Sequence, residues 1–349
     1  MSRRVTQADV ARRAGVSRAT VSNVITNRAG GHVPISDETR RRVLAAIAEL
    51  GYQPHAAARS LRSGRSGMVG LLIPDASNPH FWGVVRGVEA VTREHGYHLV
   101  LAVTGLEAGR ERQSLHALAQ QRMDGLILLL TYPGRLAEEL AALRLQGSVI
   151  VTFGGVLQGR DAVVQDYGPA MRELMEYLLR LGHRRIGFVH GVARPALGAD
   201  RLFGYRRALR AAGLPAEKEL TVHCGATLQD GVLASGQLLR LEPRPTAIVG
   251  VNDLMAVGAL QAAARRGLAV PGDLSVAGFD DIDMAAYLVP PLTTVRADGE
   301  ELGRQAGQLL FQRLADPALP PQRVTIPTRL LIRGSTGLCP RPQEGAPQV

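Results

Sequence analysis

From Met68 onward the sequence alternates between short apolar runs and longer amphipathic stretches, and this alternation constrains the fold more than any other feature. The apolar runs occupy residues 68–73, 98–103, 124–131, 148–153, 186–190, 246–251 and 274–279. Helical stretches lie between and after them, at 80–95, 107–122, 168–181, 200–212, 253–266 and 298–315. A near-continuous apolar strand is buried on both faces, and strands joined through helices run parallel. The pattern therefore predicts parallel sheets covered on both sides. Two such units fit in series. The expected class is α/β, a two-lobed, doubly wound parallel-sheet domain with a ligand cleft at the carboxyl ends of its strands.

The first 65 residues are of another kind. They hold 12 Arg against 4 acidic residues, a net of +8, whereas the remaining 284 hold 29 basic and 27 acidic groups, a net of +2. So lopsided a charge marks a nucleic-acid-binding head on a nearly neutral body. Thr6 can cap a first helix, with Asp9 placed favourably in its first turn and Val5 and Val10 as a hydrophobic staple. Val10, Ala11 and Ala14 give it a small apolar face, and Gly15 ends it. Ser17 caps a second helix over residues 18 to about 26, with Val16 and Val21 as its staple. Two helices joined through Gly15-Val16-Ser17 match the helix-turn-helix pattern. A third helix follows Ser36, carries Asp37 and Glu38 in its first turn and closes at Gly51. Its expected apolar stripe is Val43, Leu44, Ile47 and Leu50, with Arg40, Arg41 and Arg42 outside. In a helix-turn-helix the second helix presents its first residues to base edges in the major groove. Arg18 suits guanine, Asn23 suits adenine and the Ala19 methyl suits a thymine methyl. Thr6, Thr20 and Ser22 suit phosphate oxygens, which fix register. Gln7 completes the expected DNA-facing set of the head.

Other functions find little support. Two cysteines, Cys224 and Cys339, cannot make a disulfide framework and match no zinc spacing, which points to a reducing compartment with no metal and no cofactor. No apolar run approaches the roughly 18 residues of a membrane span, and the N-terminus lacks the apolar core of a secretory signal. The expected location is the cytoplasm. No G-x-S-x-G, P-loop or G-x-G-x-x-G stands at a strand–helix junction. His95 and His98 read as a helix end. The adjacent carboxylates Asp280 and Asp281 diverge beyond a strand and do not share a proton. No enzyme is expected.

Three motifs in the head are long enough to carry a resemblance: D-V-A-R-R-A-G-V-S-R-A-T-V-S at 9–22, T-R-R-R-V-L-A-A-I-A-E-L-G-Y-Q-P at 39–54 and A-R-S-L-R at 58–62. Four more lie in the body: L-L-I-P-D-A-S-N-P-H-F at 71–81, L-G-H-R-R-I-G-F at 181–188, G-V-N-D-L-M-A-V-G-A-L at 250–260 and V-A-G-F-D-D-I at 276–282, with P-P-L-T-T-V following at 290–295. Together they resemble the lactose-repressor/galactose-repressor family of bacterial transcription regulators, and the body also resembles periplasmic sugar-binding proteins. The resemblance spans about residues 5–336. It implies a DNA-binding domain at 1–52, a hinge at 53–66 and an effector-binding and dimerisation domain at 67–336, while the Pro-rich composition of 337–349 predicts a disordered tail. Within the body it implies one lobe of 67–167 plus 297–320 and another of 168–296 plus 321–336.

The resemblance further implies that two hinge segments pair in the minor groove. There Leu61 wedges into the central base step, an established way of kinking DNA, and Arg62 lies beside it. His55 stands in that segment where the family more often has Asn. For the cleft it implies Arg201, Asn252 and Asp280 as polar effector contacts, with His80 and Phe81 facing the ligand from the other lobe and Trp82 beside the cleft. The implied protein is a homodimer on a pseudo-palindromic DNA operator. A sugar or related metabolite controls its operator affinity, most simply as an effector of a repressor. Departures from the family pattern also stand out. The loop at 27–35 is long, and Asn23 takes a place often held by Arg. Gly154 and Gly155 follow Phe153 where a carboxylate is common, Pro195 and Leu197 replace polar residues, and Ala297 replaces a frequent Gln. These changes widen the effector class and leave an alternative, an effector-independent regulator with a degenerate pocket.

Overall fold

The computed structural model describes residues 5–25, 35–52, 65–145, 149–154, 159–191 and 199–340. Two compact units divide the chain, residues 1–66 and 67–349. Leu61, Arg62 and His55 of the expected hinge, Gly155, Pro195 and Leu197 of the expected cleft rim, and most of the 27–35 loop fall outside the described residues.

The first unit holds α1 (Gln7–Ala14), α2 (Arg18–Ile25) and α3 (Asp37–Leu50). Thr6 and Asp9 close a reciprocal capping box at the start of α1: the Asp9 amide donates to Thr6 Oγ1 and the Thr6 amide to Asp9 Oδ2. Gly15 and Gly51 end α1 and α3 at φ 67° and 59°, the left-handed conformation that costs a residue without Cβ nothing. Ser17 Oγ accepts from the Thr20 amide at 3.0 Å and caps α2. One valine from each helix, Val10, Val21 and Val43, is fully buried, and Ala11, Ala14, Val24, Ala46 and Tyr52 complete the core. Leu44, expected in that core, is instead 51% exposed. At 100° per residue it lies one step round the helix from Val43, and Ala46 takes the inward place.

The second unit contains two six-stranded sheets. β1 (Met68–Ile73), β2 (His98–Val103), β3 (Gly125–Leu128), β4 (Val149–Phe153), β5 (Asp161–Gln165) and a late strand, Arg323–Ile326, form the first. Its helices are α4 (Pro79–Glu94), α5 (Ala108–Gln120) and α6 (Ala137–Leu145). α7 (Tyr167–Arg180), α8 (Ala199–Ala211), α9 (Leu228–Leu238) and α10 (Asp253–Ala264) accompany the second sheet, whose strands are β6 (Ile186–His190), β7 (Thr221–His223), β8 (Ala247–Gly250), β9 (Ser275–Asp280), β10 (Thr293–Ala297) and a closing Thr328–Leu331. After β10 the chain returns to the first lobe as α11 (Gly299–Ala315), and the two late strands are β11 (Arg323–Ile326) and β12 (Thr328–Leu331).

The orders are β11-β5-β4-β3-β1-β2 and β12-β10-β9-β8-β6-β7. Every described pairing is parallel except β10 with β12. Each order reverses once, between β1 and β3 and between β6 and β8. An open α/β sheet leaves a crevice at that switch point.

The strands and helices read from the alternation are present to within a few residues. The alternation missed α6, α9 and the short or edge strands β5, β7, β10, β11 and β12, which carry too few apolar residues to stand out. Two boundaries differ from expectation. Residues 321–326 were expected in the second lobe, but β11 pairs in parallel with β5 of the first, Arg323 opposite Ala162 through Ile326 opposite Gln165. Only β12 returns to the second lobe. The chain therefore crosses between lobes at 165–167, 297–299 and 326–328. The tail was expected to be disordered from 337. Instead Gly337 accepts from His183 Nε2 and donates to Ser275 Oγ, and the Cys339 amide donates to Leu181 O at 2.8 Å, so residues 337–340 are bound to the second lobe.

In the first lobe α4 and α11 meet at backbone distance. A Cβ on Gly87 would sit 2.0 Å from Glu300 O, and one on Gly303 would sit 2.2 Å from Val84 O. No helix among the described residues is long and apolar enough to cross a membrane.

Candidate functional site

The principal cavity has a volume of about 710 Å³ and lies between the lobes, at the carboxyl ends of both sheets. That size falls within the range of small-molecule sites. All five expected effector residues, His80, Phe81, Arg201, Asn252 and Asp280, line it. Residues at or after the ends of β1, β3 and β4, with residues of β5 and β11, form one wall, and residues at or after the ends of β6, β8 and β9 form the other.

The second lobe supplies the charged groups. Arg201 enters from the first turn of α8 and lies flat on the Tyr167 ring, its guanidinium carbon 3.8 Å from the ring centroid and 5.4 Å from that of Phe279. Cation–π stacking of this kind holds a guanidinium in one plane. One terminal nitrogen donates to Val251 O, while Nε is buried with no partner in the protein. A buried donor without an acceptor is costly.

Asp280 ends β9 at φ 108°, a region that L-residues rarely adopt, and is only 5% exposed. Such strain persists where the surroundings enforce it and is concentrated at functional sites. Asp281, next in sequence, turns away to pair with Arg333 at 2.6 Å and Arg296 at 3.9 Å, so the two carboxylates diverge. Asn252 caps α10, its carbonyl oxygen accepting from the Met255 amide at 3.0 Å. The cap uses the carbonyl and leaves the amide –NH₂ as the group a ligand would use. Behind it Asp253 is fully buried, accepting from Thr294 Oγ1 and the Ile282 amide. Burial first, and Asp280 second, raise its carboxyl well above the usual range.

The first lobe supplies Asp75 and Arg323 at the cavity and, beside them, neutral groups. Burial lowers the His80 imidazole below its ordinary value, outweighing the pull of Asp280, so the ring is neutral at pH 7. Phe81 stands edge-on to it at 5.5 Å. Trp82 does not reach the cavity. It is 42% exposed and donates from Nε1 to Ala76 O at 3.1 Å. Two residues past His80 on a helix is a turn of about 200°, which carries it to the outer face. Gly154 lines the cavity and brings no carboxylate, and Ala297 is buried.

Some lining residues were not anticipated. Asn78 is 4% exposed and spans the two lobes: its Oδ1 accepts from the His80 amide at 3.0 Å and caps α4, and its Nδ2 donates to Asp280 Oδ2 at 3.3 Å. The signal was present in Asn78-Pro79, an N-cap followed by proline at N1. Tyr167 and Gln165 also line the cavity. The Tyr167 hydroxyl donates to Gln165 Oε1 at 2.8 Å, and burial raises its phenol far enough that the proton stays on.

On the head, Arg18, Ala19 and Asn23 are exposed along α2, and Thr20 and Gln7 are half-buried. Ser22 is only 8% exposed, which makes it the least accessible of the expected contacts among the described residues. The Thr6 hydroxyl is occupied by the Asp9 carboxylate at 2.6 Å.

Comparison with known proteins adds an independent line. Residues 6–55 match the family model described as bacterial regulatory proteins, lacI family, and residues 175–336 match the periplasmic binding protein-like domain. The chain is 37% identical over 331 residues to the ribose operon repressor of Escherichia coli (strain K12), covering 95% of this chain and 99% of that one. It is 33% identical over 312 residues to the HTH-type transcriptional repressor PurR of Vibrio atlanticus (strain LGP32), covering 88% and 91%. Among solved structures it is similar to the lac repressor dimer bound to operator and the anti-inducer ONPF, with a TM-score of 0.82 and 27% identity over 96% of this chain and all of that one.

Proposed function

The chain belongs to the lacI family of bacterial regulatory proteins, as a DNA-binding repressor with a periplasmic-binding-protein-like effector domain and not an enzyme, and from that premise we propose that it works as a cytoplasmic homodimer on a pseudo-palindromic operator, its operator affinity controlled by a sugar or related small metabolite held between the lobes. The observation that carries the effector half is the convergence of Arg201, Asn252 and Asp280 on one cavity between the lobes. A planar guanidinium, an amide and a carboxylate fork hydrogen bonds to adjacent hydroxyls, and Phe81 and Tyr167 cover apolar C–H faces. This polar set also argues against a degenerate pocket, since a lost site has no reason to keep a strained Asp280 and a buried Arg201 Nε without a partner. The head supports the DNA half. Arg18, Ala19 and Asn23 would read base edges, Thr6, Gln7, Thr20 and Ser22 would fix register on phosphates, and Leu61 with Arg62 would engage the minor groove.

A selection of bound genomic fragments by the full chain, followed by fluorescence anisotropy on the recovered duplex, tests the reading. Two half-sites of opposite orientation and a steep fall of affinity with salt are expected. Titrating D-ribose, other pentoses and purine bases into that complex should then shift operator affinity for one class. Equal affinity for every duplex would remove the DNA reading. A recovered operator that no member of the panel affects would instead favour the effector-independent regulator.

A further inference from the structure

We infer that Tyr167 is the positioning residue that connects effector engagement at Arg201 to all three crossovers between the lobes, an inference that rests on reading the cleft as the effector site. The observation is a continuous chain of contacts that starts in the cleft and ends at the hinges.

The guanidinium of Arg201 lies on the Tyr167 ring at 3.8 Å. Tyr167 is the first residue of α7, where the first crossover from β5 ends. Its hydroxyl donates to Gln165 Oε1 at 2.8 Å, on the first-lobe side of that crossover. Gln165 Nε2 in turn donates to the carbonyl of Asp298, in the second crossover, at 3.4 Å. Asp298 is also the N-cap of α11, and its side chain accepts from the Glu301 amide at 3.0 Å. The third crossover joins at the same place, because Thr328 Oγ1 donates to the Asp166 carbonyl at 2.8 Å. Three strands of backbone that must bend together when two lobes close are thus tied through residues 165–167. The one side chain among them that also touches the candidate ligand contact is Tyr167.

The physical role follows from geometry. Arg201 has little freedom on its own helix, because one nitrogen is committed to Val251 O. A ligand oxygen that bonds the guanidinium from the cavity pulls it in its plane, and the plane rests on the phenol ring. Moving the ring moves the hydroxyl, which holds Gln165, which holds the second crossover. An aliphatic side chain at 167 would fill the space and lose both the stack and the bond. Tyrosine is the residue type that offers a face to the cation and a donor to the hinge at once.

Hydrogen–deuterium exchange of the full-length protein separates the two links without needing the true effector. Tyr167→Phe keeps the face and removes the donor. Amides at the start of α11, whose Leu302 N–H donates to Asp298 O at 3.0 Å, should exchange about fivefold faster, the size expected for one lost hydrogen bond. The first turn of α8 should remain at the wild-type rate. Gln165→Met should reproduce that pattern and guards against an effect of the ring itself. Arg201→Lys removes the flat stack and should speed exchange both in α8 and at 297–302, a segment that Arg201 does not touch. If Tyr167→Phe and Gln165→Met leave 297–302 at the wild-type rate, or if Arg201→Lys changes α8 alone, the relay is overturned. A final arm adds saturating D-ribose as the probe. Protection in the cleft that reaches 297–302 in the wild type and stops at α8 in Tyr167→Phe supports the relay. No protection anywhere counts against ribose as ligand, and the ligand-free arms decide the relay by themselves.

Discussion

The two lobes have the same strand order and face the same cavity, yet they are built to do different things. The second lobe has one continuous core, running from Tyr167 through Ala297, and places its charged groups on that frame: Arg201 stacked on Tyr167, and Asp280 held at a strained φ of 108° at the end of β9. The core of the first lobe divides into two clusters on opposite faces of its sheet. Beside Asp75 and the exposed Arg323, its contribution to the cavity is the amide of Asn78, an uncharged His80 and the ring of Phe81. A buried charge needs a rigid setting, because any relaxation that leaves it unpaired is costly. The hydrogen bond across the cleft from Asn78 to Asp280 joins a neutral donor to a carboxylate and costs about 1.5–3 kcal/mol to break. On this division the second lobe reads the ligand and the first lobe closes over it.

The largest expected effect tests the reading lobe. Arg201→Ala should weaken effector binding by about 3–5 kcal/mol, the cost of truncating one partner of a buried, charge-assisted contact. The check is calorimetry with whichever sugar shifts operator affinity. A loss below tenfold would show that the charged wall is not the reader. The next effect concerns the frame of the closing lobe. Gly303→Ala would bring a Cβ to 2.2 Å from Val84 O, forcing α4 and α11 apart. A loss of about 2–3 kcal/mol is expected from overpacking, read as a lower denaturant midpoint at unchanged slope. Smaller again is Asn78→Asp. Aspartate caps a helix as well as asparagine, so α4 should be retained. The donor to Asp280 becomes a second carboxylate, and the hydrogen bond to a charged group, worth about 1.5–3 kcal/mol, is lost. Small-angle scattering of the ligand-free protein should show a larger radius of gyration than wild type with little change in melting temperature. An unchanged radius would show that this bond does not set closure.

How much of this was visible in the sequence depends on what kind of signal each part leaves. The buried central strands and their helices were legible because a continuous apolar run bounded by helices must be covered on both faces. The head was legible because its caps, its left-handed glycines and its charge agree. Arg201, Asn252 and Asp280 came from resemblance, and the cavity brings all three together. β11 was assigned to the wrong lobe because a four-residue edge strand, Arg-Val-Thr-Ile, carries no apolar pattern that says which sheet it joins. Leu44 was misplaced because a helix rotates 100° at each residue, so a neighbour of a correct position faces elsewhere. Tyr167 was passed over because its role depends on two contacts distant in sequence, Arg201 and the second crossover, and neither leaves a local trace.

The smallest expected effect is a pH dependence shared unequally between the lobes. Burial lowers the pKa of His80, at the cleft, and of His183, in the second lobe. His183 Nε2 lies 3.1 Å from the Gly337 carbonyl, which can only accept, so that nitrogen carries the proton and Nδ1 accepts from Thr246 Oγ1. Both rings are therefore neutral when folded at pH values where an unfolded histidine is already protonated. Between their folded values and about 6.5 the unfolded chain binds protons that the folded chain refuses, so stability rises with pH across that window and is complete above it. Each ring contributes at most about 1.4 kcal/mol per pH unit. Asp253 and Glu111, raised mainly by burial, act with the opposite sign, their contribution falling as pH rises from the ordinary carboxylate range. The histidine share is therefore taken as the difference between wild type and variant at each pH. Melting curves from pH 5 to 7.5 for His183→Asn and His80→Asn should each show a shallower acid-side slope than wild type. Because His80 lines the cleft, a bound effector that fills the space beside it should steepen its share and leave that of His183 unchanged. If the effector instead alters both slopes equally, the two lobes respond as one body and the division between reading and closing fails.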